Sequence, residues 1–131
     1  MATIFTRIIK GEIPCYKIYE DENYFAFLDI NPLQKGHTLV IPKKEDDYIF
    51  NLDDATYSGL MMTAKKIAAA IKESTKCKRV GVTVLGMEVP HVHIHLVPMN
   101  SEKDMLFSNP KMELSKEEFE AIAADIAKRV K

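Results

Sequence analysis

The chain has 131 residues, 47% of them hydrophobic, which is typical of one compact domain with its own apolar core. Its formal net charge at pH 7 is −1, with lysine and glutamate interspersed along the chain. This charge pattern argues against binding to nucleic acid or to anionic lipid, although a small anionic substrate is compatible with it.

The cysteines and the amino terminus indicate a cytoplasmic protein. Cys15 and Cys77 lie far apart, without the close spacing of a redox or metal-binding pair. The amino terminus lacks the charged and apolar regions of a secretion signal. No apolar run approaches the roughly 20 residues that cross a bilayer, so we expect no membrane association.

The first third of the chain predicts a helix followed by a meander of strands. Helical spacing of apolar residues predicts a short amphipathic helix over residues 3–10 that ends at Gly11. Residues 15–20 and 24–29 are typical of two strands joined by a polar turn. A third strand is predicted over residues 36–42, where a proline closes it.

Two further helices are indicated by their first residues. Asp53 is a favourable N-cap for a long amphipathic helix, which we expect to end near Ser74. Ser115 with Glu118 three residues later forms the capping-box pattern of a carboxyl-terminal helix.

The remaining segments complete an α+β prediction. Residues 79–85 are rich in valine and predict a well-buried strand, and residues 91–96 predict a strand that carries histidines. Because the strands are grouped apart from the helices, we expect an antiparallel sheet of about five strands with one long and one carboxyl-terminal helix.

Three of the four histidines occupy alternate positions at His91, His93 and His95. On a strand these imidazoles would share one face, with the intervening apolar residues on the other. Imidazole has an unperturbed pKa of about 6.5, so such a row suits nucleophilic attack, proton transfer or metal binding.

These chemistries place different demands on the geometry. On a regular strand His91 and His95 would lie about 13 Å apart, so three rings in a row do not converge on one ion. Two of them with His37 would make an ordinary zinc or iron site, and Glu88 is a carboxylate in the preceding turn. A purely structural row is a further alternative. One reacting imidazole flanked by hydrogen-bond donors fits the row better than a chelate does.

The run H-V-H-I-H-L at residues 91–96 resembles the histidine triad motif of the HIT superfamily of nucleotide hydrolases and transferases. T-I-F-T-R-I-I-K-G-E-I-P, Y-E-D-E, A-F-L-D-I-N-P and G-H-T-L-V-I-P-K-K resemble the Hint-like branch, in order and at compatible spacing. The resemblance covers residues 3–98 and is weak over the carboxyl-terminal extension, residues 101–131. It implies a single HIT domain over residues 1–131.

The resemblance implies a role for each histidine and for one carboxylate. His93 matches the nucleophile that attacks the α-phosphorus of a nucleotide and forms a nucleotidyl-histidine intermediate. His91 matches the residue whose carbonyl orients that nucleophile, and His95 matches a phosphate-contacting donor. His37 matches the histidine that completes the group, and Asp29 matches the carboxylate that binds the ribose hydroxyls.

The resemblance also implies a base pocket and a phosphate loop. The pocket is an apolar clamp formed by Ile4, Phe5, Ile8, Phe27 and Ile30. On spacing alone these five residues would be assigned to the core. In the loop, Met87 and Glu88 stand where relatives carry polar phosphate contacts, so we expect Glu88 to turn its side chain away. Only the backbone of Glu88 and Val89 would then contact phosphate.

The implied activity is a metal-independent, cofactor-free purine nucleotide hydrolase resembling a nucleoside phosphoramidase. A nucleotide-binding regulatory protein with low turnover and a dinucleoside polyphosphate hydrolase are the alternatives. Thr3, Thr6 and Glu45 occupy the positions of a structural zinc site in some relatives, so we expect that site to be absent. The family also implies a homodimer, for which residues 60–62 offer an apolar face.

Overall fold

A computed structural model describes residues 2–131 as a five-stranded sheet with helices on both faces. In chain order the elements are α1 (Ile4–Ile9), β1 (Lys17–Glu20), β2 (Tyr24–Leu28), β3 (Thr38–Pro42), α2 (Asp54–Thr75), β4 (Arg79–Thr83), β5 (Ile94–Met99) and α3 (Lys116–Arg129). The strand order is β1-β2-β3-β5-β4, and every neighbouring pair is antiparallel. The predicted α+β class, meander and pair of long helices are confirmed.

The alternation of side chains along β2 separates two hydrophobic cores. Tyr24, Ala26 and Leu28 pack into the larger core beneath α2 and α3. Phe25 and Phe27 point to the other face, where α1 contributes its buried side chains to a smaller core. The sheet therefore carries α2 and α3 on one side and α1 on the other.

The same alternation places one histidine on the α1 side of the sheet. In β5, Ile94 and Leu96 are fully buried in the larger core. His95 lies between them on the opposite face and pairs with Leu39 of β3, which belongs to the smaller core. The predicted separation of apolar and imidazole faces is therefore correct for this strand.

The predicted start of the histidine strand was wrong. The strand begins at Ile94, so His91 and His93 lie in the irregular segment before it. The reason is that this segment bonds outside the sheet ladder. The Val92 N–H donates to the carbonyl of Asp46 in a loop, at 2.7 Å, instead of to a neighbouring strand.

The strand predicted over residues 79–85 is present, but the prediction that it is well buried was wrong. β4 ends at Thr83 and lies at one edge of the sheet, with β5 as its partner. Its side chains are half-buried or exposed, and Val82 is 53% exposed. A valine-rich sequence gives no indication of whether a strand has one neighbour or two.

Both predicted helix caps are present. The Asp53 side chain accepts a hydrogen bond from the Thr56 N–H, and α2 then runs to Thr75. At α3, Ser115 and Glu118 bond to each other's backbone N–H in a full capping box. These contacts satisfy amide groups that the first helical turn leaves without partners.

The apolar face expected at residues 60–62 is divided between core and surface. Leu60 is fully buried in the larger core, which corrects its assignment to an intersubunit face, whereas Met62 is 62% exposed. The homodimer and the cytoplasmic location stay predictions. Across residues 2–131, no helix combines the length and the apolar character that a membrane span requires.

Candidate active site

A cavity of about 510 Å³ opens on the α1 side of the sheet. All five residues predicted for the base pocket line it, as do Asp29, Glu88, Val89, His93 and His95. Phe5, Ile8 and Phe27 are buried in its floor, whereas Ile4 and Ile30 are 48% and 64% exposed. Apolar side chains that remain exposed beside a cavity leave surface for a flat apolar ligand to cover.

The ring of His93 is fixed by its own backbone neighbour. Its Nδ1 lies 2.7 Å from the carbonyl oxygen of His91, and since a carbonyl only accepts, Nδ1 carries the proton. The Phe5 ring packs edge-on against this imidazole, with centroids 5.0 Å apart. In the neutral ring the lone pair is therefore on Nε2, where it can attack an electrophile held in the cavity.

The ring of His91 does not reach the cavity. It is fully buried, and its Nε2 donates to the carbonyl of Pro42 at 2.8 Å. Its Nδ1 lies 2.7 Å from the hydroxyl oxygen of Thr3. The predicted row of three neighbouring rings is therefore reduced to His93 and His95, whose centroids are 4.9 Å apart.

His37 and His95 form a directed hydrogen-bonded pair. The Leu33 N–H donates to Nδ1 of His37 at 3.0 Å, so the proton of neutral His37 is on Nε2. His37 Nε2 lies 3.0 Å from Nδ1 of His95, to which it donates. The proton of neutral His95 is consequently on its Nε2, where it can donate to a ligand in the cavity.

Burial keeps both rings of this pair uncharged at neutral pH. Desolvation, assisted by the neighbouring His95, lowers the pKa of His37 from 6.5 to about 3. Desolvation, assisted by His93, lowers the pKa of His95 to about 4. The 3.6 Å approach of His37 Nε2 to the Asp29 carboxylate is therefore not an ion pair at pH 7.

Asp29 follows the last residue of β2 and lines the cavity. Its Oδ1 accepts from the Asn31 N–H at 2.8 Å, and its backbone N–H donates to the carbonyl of His37. Desolvation by burial raises the pKa of this carboxyl, and the charge of Glu88 acts in the same direction. The carboxylate oxygens can accept from the two hydroxyls of a ribose.

Asp29, His37 and His95 also offer three ligand atoms within 4.8 Å of one another. This combination differs from the predicted alternative of two triad histidines with His37. The nitrogens that His37 and His95 direct at each other are joined by a hydrogen bond, which an ion would have to break. The arrangement thus favours hydrogen bonding over chelation.

Thr3, Thr6 and Glu45 lie together, next to His91. The Glu45 carboxylate accepts from the Thr3 N–H at 2.9 Å and from the Thr6 hydroxyl. The Thr3 hydroxyl accepts from the Thr6 N–H and contacts His91. Two hydroxyl groups and one carboxylate thus occupy these three positions.

Sequence reasoning missed several cavity residues, of which Phe107 and Lys111 lie beyond the triad. The Phe107 ring packs edge-on against His95, with centroids 4.9 Å apart. Lys111 lines the cavity, and the Met112 N–H holds this segment to the carbonyl of Pro32 at 2.9 Å. The two residues lie in the segment whose resemblance is weak, and no local pattern indicates that it folds back over the sheet.

The loop before the triad also lines the cavity. Met87 is 89% exposed and Glu88 is also exposed, and both line the cavity. The roles expected of the Glu88 and Val89 backbones stay predictions.

The low pKa of His37 makes a prediction about stability. In the unfolded chain His37 takes up a proton near pH 6.5, whereas in the folded protein it does so only near pH 3. The unfolding free energy should therefore fall as the pH drops below 6.5, by up to about 1.4 kcal/mol per pH unit from this residue. Urea unfolding at pH 7.5 and pH 5 should show a smaller loss in His37→Gln than in the wild type. Equal losses would contradict the assignment.

Known proteins resemble this chain in both sequence and fold. A family model described as HIT domain matches residues 10–102. Adenosine 5'-monophosphoramidase hnt1 of Schizosaccharomyces pombe is 35% identical over 133 residues, covering 100% of both chains. A histidine triad nucleotide-binding protein from Sulfolobus tokodaii superposes with a TM-score of 0.82 at 31% identity, covering 96% of this chain and 90% of that one.

A third similar protein is a Zn-bound histidine triad family protein from Mycobacterium smegmatis. It superposes with a TM-score of 0.81 at 29% identity and covers 98% of this chain and 95% of that one. With the triad, the cavity and a family match over most of its length, the chain belongs to the HIT family.

Proposed function

We propose that this protein hydrolyses nucleoside phosphoramidates, releasing a purine nucleoside monophosphate from an amine or a similar leaving group. The observation that carries the proposal is the position of His93, whose Nε2 lone pair lies at an apolar cavity that also holds a carboxylate. The adenosine 5'-monophosphoramidase relative supports the choice of substrate class.

In the proposed first step, Nε2 of His93 attacks the α-phosphorus and forms a phosphorus–nitrogen bond. The bond to the amine breaks, and the amine takes up a proton from solvent water as it leaves; the attacking water of the second step returns a proton to solvent. His95 donates from Nε2 to a phosphoryl oxygen as negative charge develops there. Water then attacks the nucleotidyl-histidine, which restores neutral His93 and releases the monophosphate.

In this proposal, hydrogen bonds hold the rings of His93 and His95 in their reactive tautomers before the substrate binds. The His91 carbonyl holds the proton of His93 on Nδ1, and His37 holds the proton of His95 on Nε2. Neither ring has to change tautomer to react. Such fixed donors and acceptors cost little reorganisation in the transition state.

Replacement of the nucleophile tests this mechanism. His93→Ala should lower kcat on an adenosine phosphoramidate by at least about a thousand-fold, because it removes the reacting atom. AMP binding by calorimetry should persist, which shows that the cavity is intact. Mass spectrometry should detect a nucleotidyl-histidine adduct in the wild type and not in the variant. Full activity of the variant would contradict the mechanism, and loss of wild-type activity on chelation would contradict metal independence.

A second function is favoured by the loop before the triad. Met87 and Glu88 offer a thioether and a carboxylate beside the cavity, and a carboxylate repels phosphate. A regulatory nucleotide-binding protein would bind AMP tightly without turnover and without a trapped adduct. A panel of phosphoramidates, dinucleoside polyphosphates and nucleotidyl sulfates separates this function from hydrolysis and identifies the leaving group.

The proposed ribose contact makes a separate prediction. If Asp29 accepts from the ribose hydroxyls, the wild type should bind AMP about ten-fold more tightly than 2'-deoxy-AMP. Asp29→Ala should weaken AMP binding to the level of the deoxynucleotide and leave deoxynucleotide binding nearly unchanged. Isothermal titration of both ligands measures the effect. A preference for AMP that persists in Asp29→Ala would exclude this role.

A further inference from the structure

Hydrogen bonds on both sides of His91, from its ring and from its carbonyl, link the surface to the proposed nucleophile. Glu45 accepts from Thr3 and Thr6, and the Thr3 hydroxyl reaches Nδ1 of His91 at 2.7 Å. The carbonyl of His91 accepts from His93 at 2.7 Å. The Thr3 hydroxyl also contacts the Thr6 hydroxyl at 3.2 Å.

The proton positions in these hydrogen bonds follow from the acceptors. Nε2 of His91 donates to the Pro42 carbonyl, so in the neutral ring Nδ1 must accept. Burial lowers the pKa of His91, which favours the neutral ring. The Thr3 hydroxyl has two acceptors in reach, the Thr6 hydroxyl at 3.2 Å and Nδ1 of His91 at 2.7 Å, and the shorter contact makes it the donor to His91.

Thr3 also belongs to the helix that forms part of the cavity. It is the N-cap of α1, and its hydroxyl accepts from the Thr6 N–H at 3.1 Å. The same helix supplies Ile4, Phe5 and Ile8 to the cavity wall. One hydroxyl thus joins the base-pocket helix to the segment that orients His93.

We propose that Thr3, held by Glu45, is a positioning residue that fixes the His91 segment and thereby the Nδ1–H tautomer of His93. Its consequence for turnover rests on the proposed function, whereas its effect on the tautomer does not. Without the hydroxyl, Nδ1 of His91 loses its donor, and the ring is held only by its Nε2 bond to the Pro42 carbonyl, which loosens the segment that carries the His91 carbonyl.

Nitrogen NMR of histidine-labelled protein measures the tautomer directly. We expect Nδ1–H for His93 in the wild type and in Thr3→Ser, and a shift toward Nε2–H in Thr3→Val. On the phosphoramidate, kcat of Thr3→Val should fall about ten-fold or more with KM within about three-fold, and Thr3→Ser should restore it. Glu45→Ala, at an exposed position, should shift the tautomer in the same direction.

An unchanged His93 tautomer in folded Thr3→Val would overturn the positioning role. If Thr3→Val does not fold, an unchanged tautomer in Glu45→Ala does the same. A wild type that lacks phosphoramidase activity but shows these tautomer shifts would overturn the proposed function alone.

A different observation concerns the charge of the cavity. Of its lining residues, Lys111 alone is a lysine or arginine, whereas Asp29 and Glu88 are both carboxylates. Because His37 and His95 are neutral at pH 7, they add no positive charge, and of the two only His95 has a ring N–H left to donate. A nucleotide phosphate therefore meets two negative groups and one permanent cation.

The position of Lys111 is defined by its own segment. Its ammonium donates to the backbone carbonyls of Phe107 and Asn109, the latter at 3.1 Å. Its charge opposes the rise that burial causes in the pKa of Asp29 and adds to the lowering of the pKa of His37. The segment lies beyond the residues that the family model matches, so this cation is not part of the common motif.

We infer that Lys111 is the charge partner of the nucleotide phosphate and contributes to substrate affinity. This inference rests on the proposed function. It predicts that the contribution of Lys111 depends on the phosphate and not on the base or the ribose. Lys103 provides a matched control, since it is an exposed lysine in the same region that does not line the cavity.

Comparing the affinities for AMP and adenosine measures how much the phosphate contributes to binding. Lys111→Met should weaken AMP binding about five-fold and leave adenosine unchanged, while Lys111→Arg and Lys103→Met should match the wild type. Equal weakening of both ligands, or of neither, would overturn the role of Lys111. A wild type that binds no AMP would overturn the proposed function as well.

Discussion

The hydrogen bond from His93 to the His91 carbonyl constrains both the fold and the chemistry of this protein. Inside a regular sheet ladder a carbonyl points in the plane of the sheet toward the neighbouring strand, whereas a side chain two residues later stands perpendicular to that plane. The chain leaves the ladder before Ile94, where this bond is made. An irregular segment next to a regular strand is therefore a requirement for orienting the ring.

The buried histidines His37 and His95 are polar but uncharged. His37 and His95 are 1% and 7% exposed, yet their ring contacts include a backbone N–H and each other's nitrogens. Within residues 2–131, no buried side-chain nitrogen or oxygen is left without a partner. Neutral imidazole rings with all their hydrogen bonds made can be buried at little cost, whereas burial of a charged imidazolium is unfavourable. In the low-dielectric interior the hydrogen bonds of the neutral rings are also strong.

Sequence reasoning succeeded where a local rule decides the outcome. Asp53 and Ser115 are caps because their side chains reach amides only three residues away, and Ile94 and Leu96 are core because alternation fixes their face. It failed where distant contacts decide. The edge position of Val82 depends on sheet order, and the contact of Phe107 with His95 depends on how a late segment folds back.

The reacting groups and part of the wall that encloses them come from different parts of the chain. The triad, Asp29 and His37 lie within the matched residues 10–102, whereas the segment around Phe107 lies outside them and is tethered through the Met112–Pro32 bond. That segment can accumulate substitutions, insertions or deletions while the histidine strand stays intact. Paralogues with identical triads can thus diverge in the molecules they accept, which makes triad identity a poor guide to shared substrates.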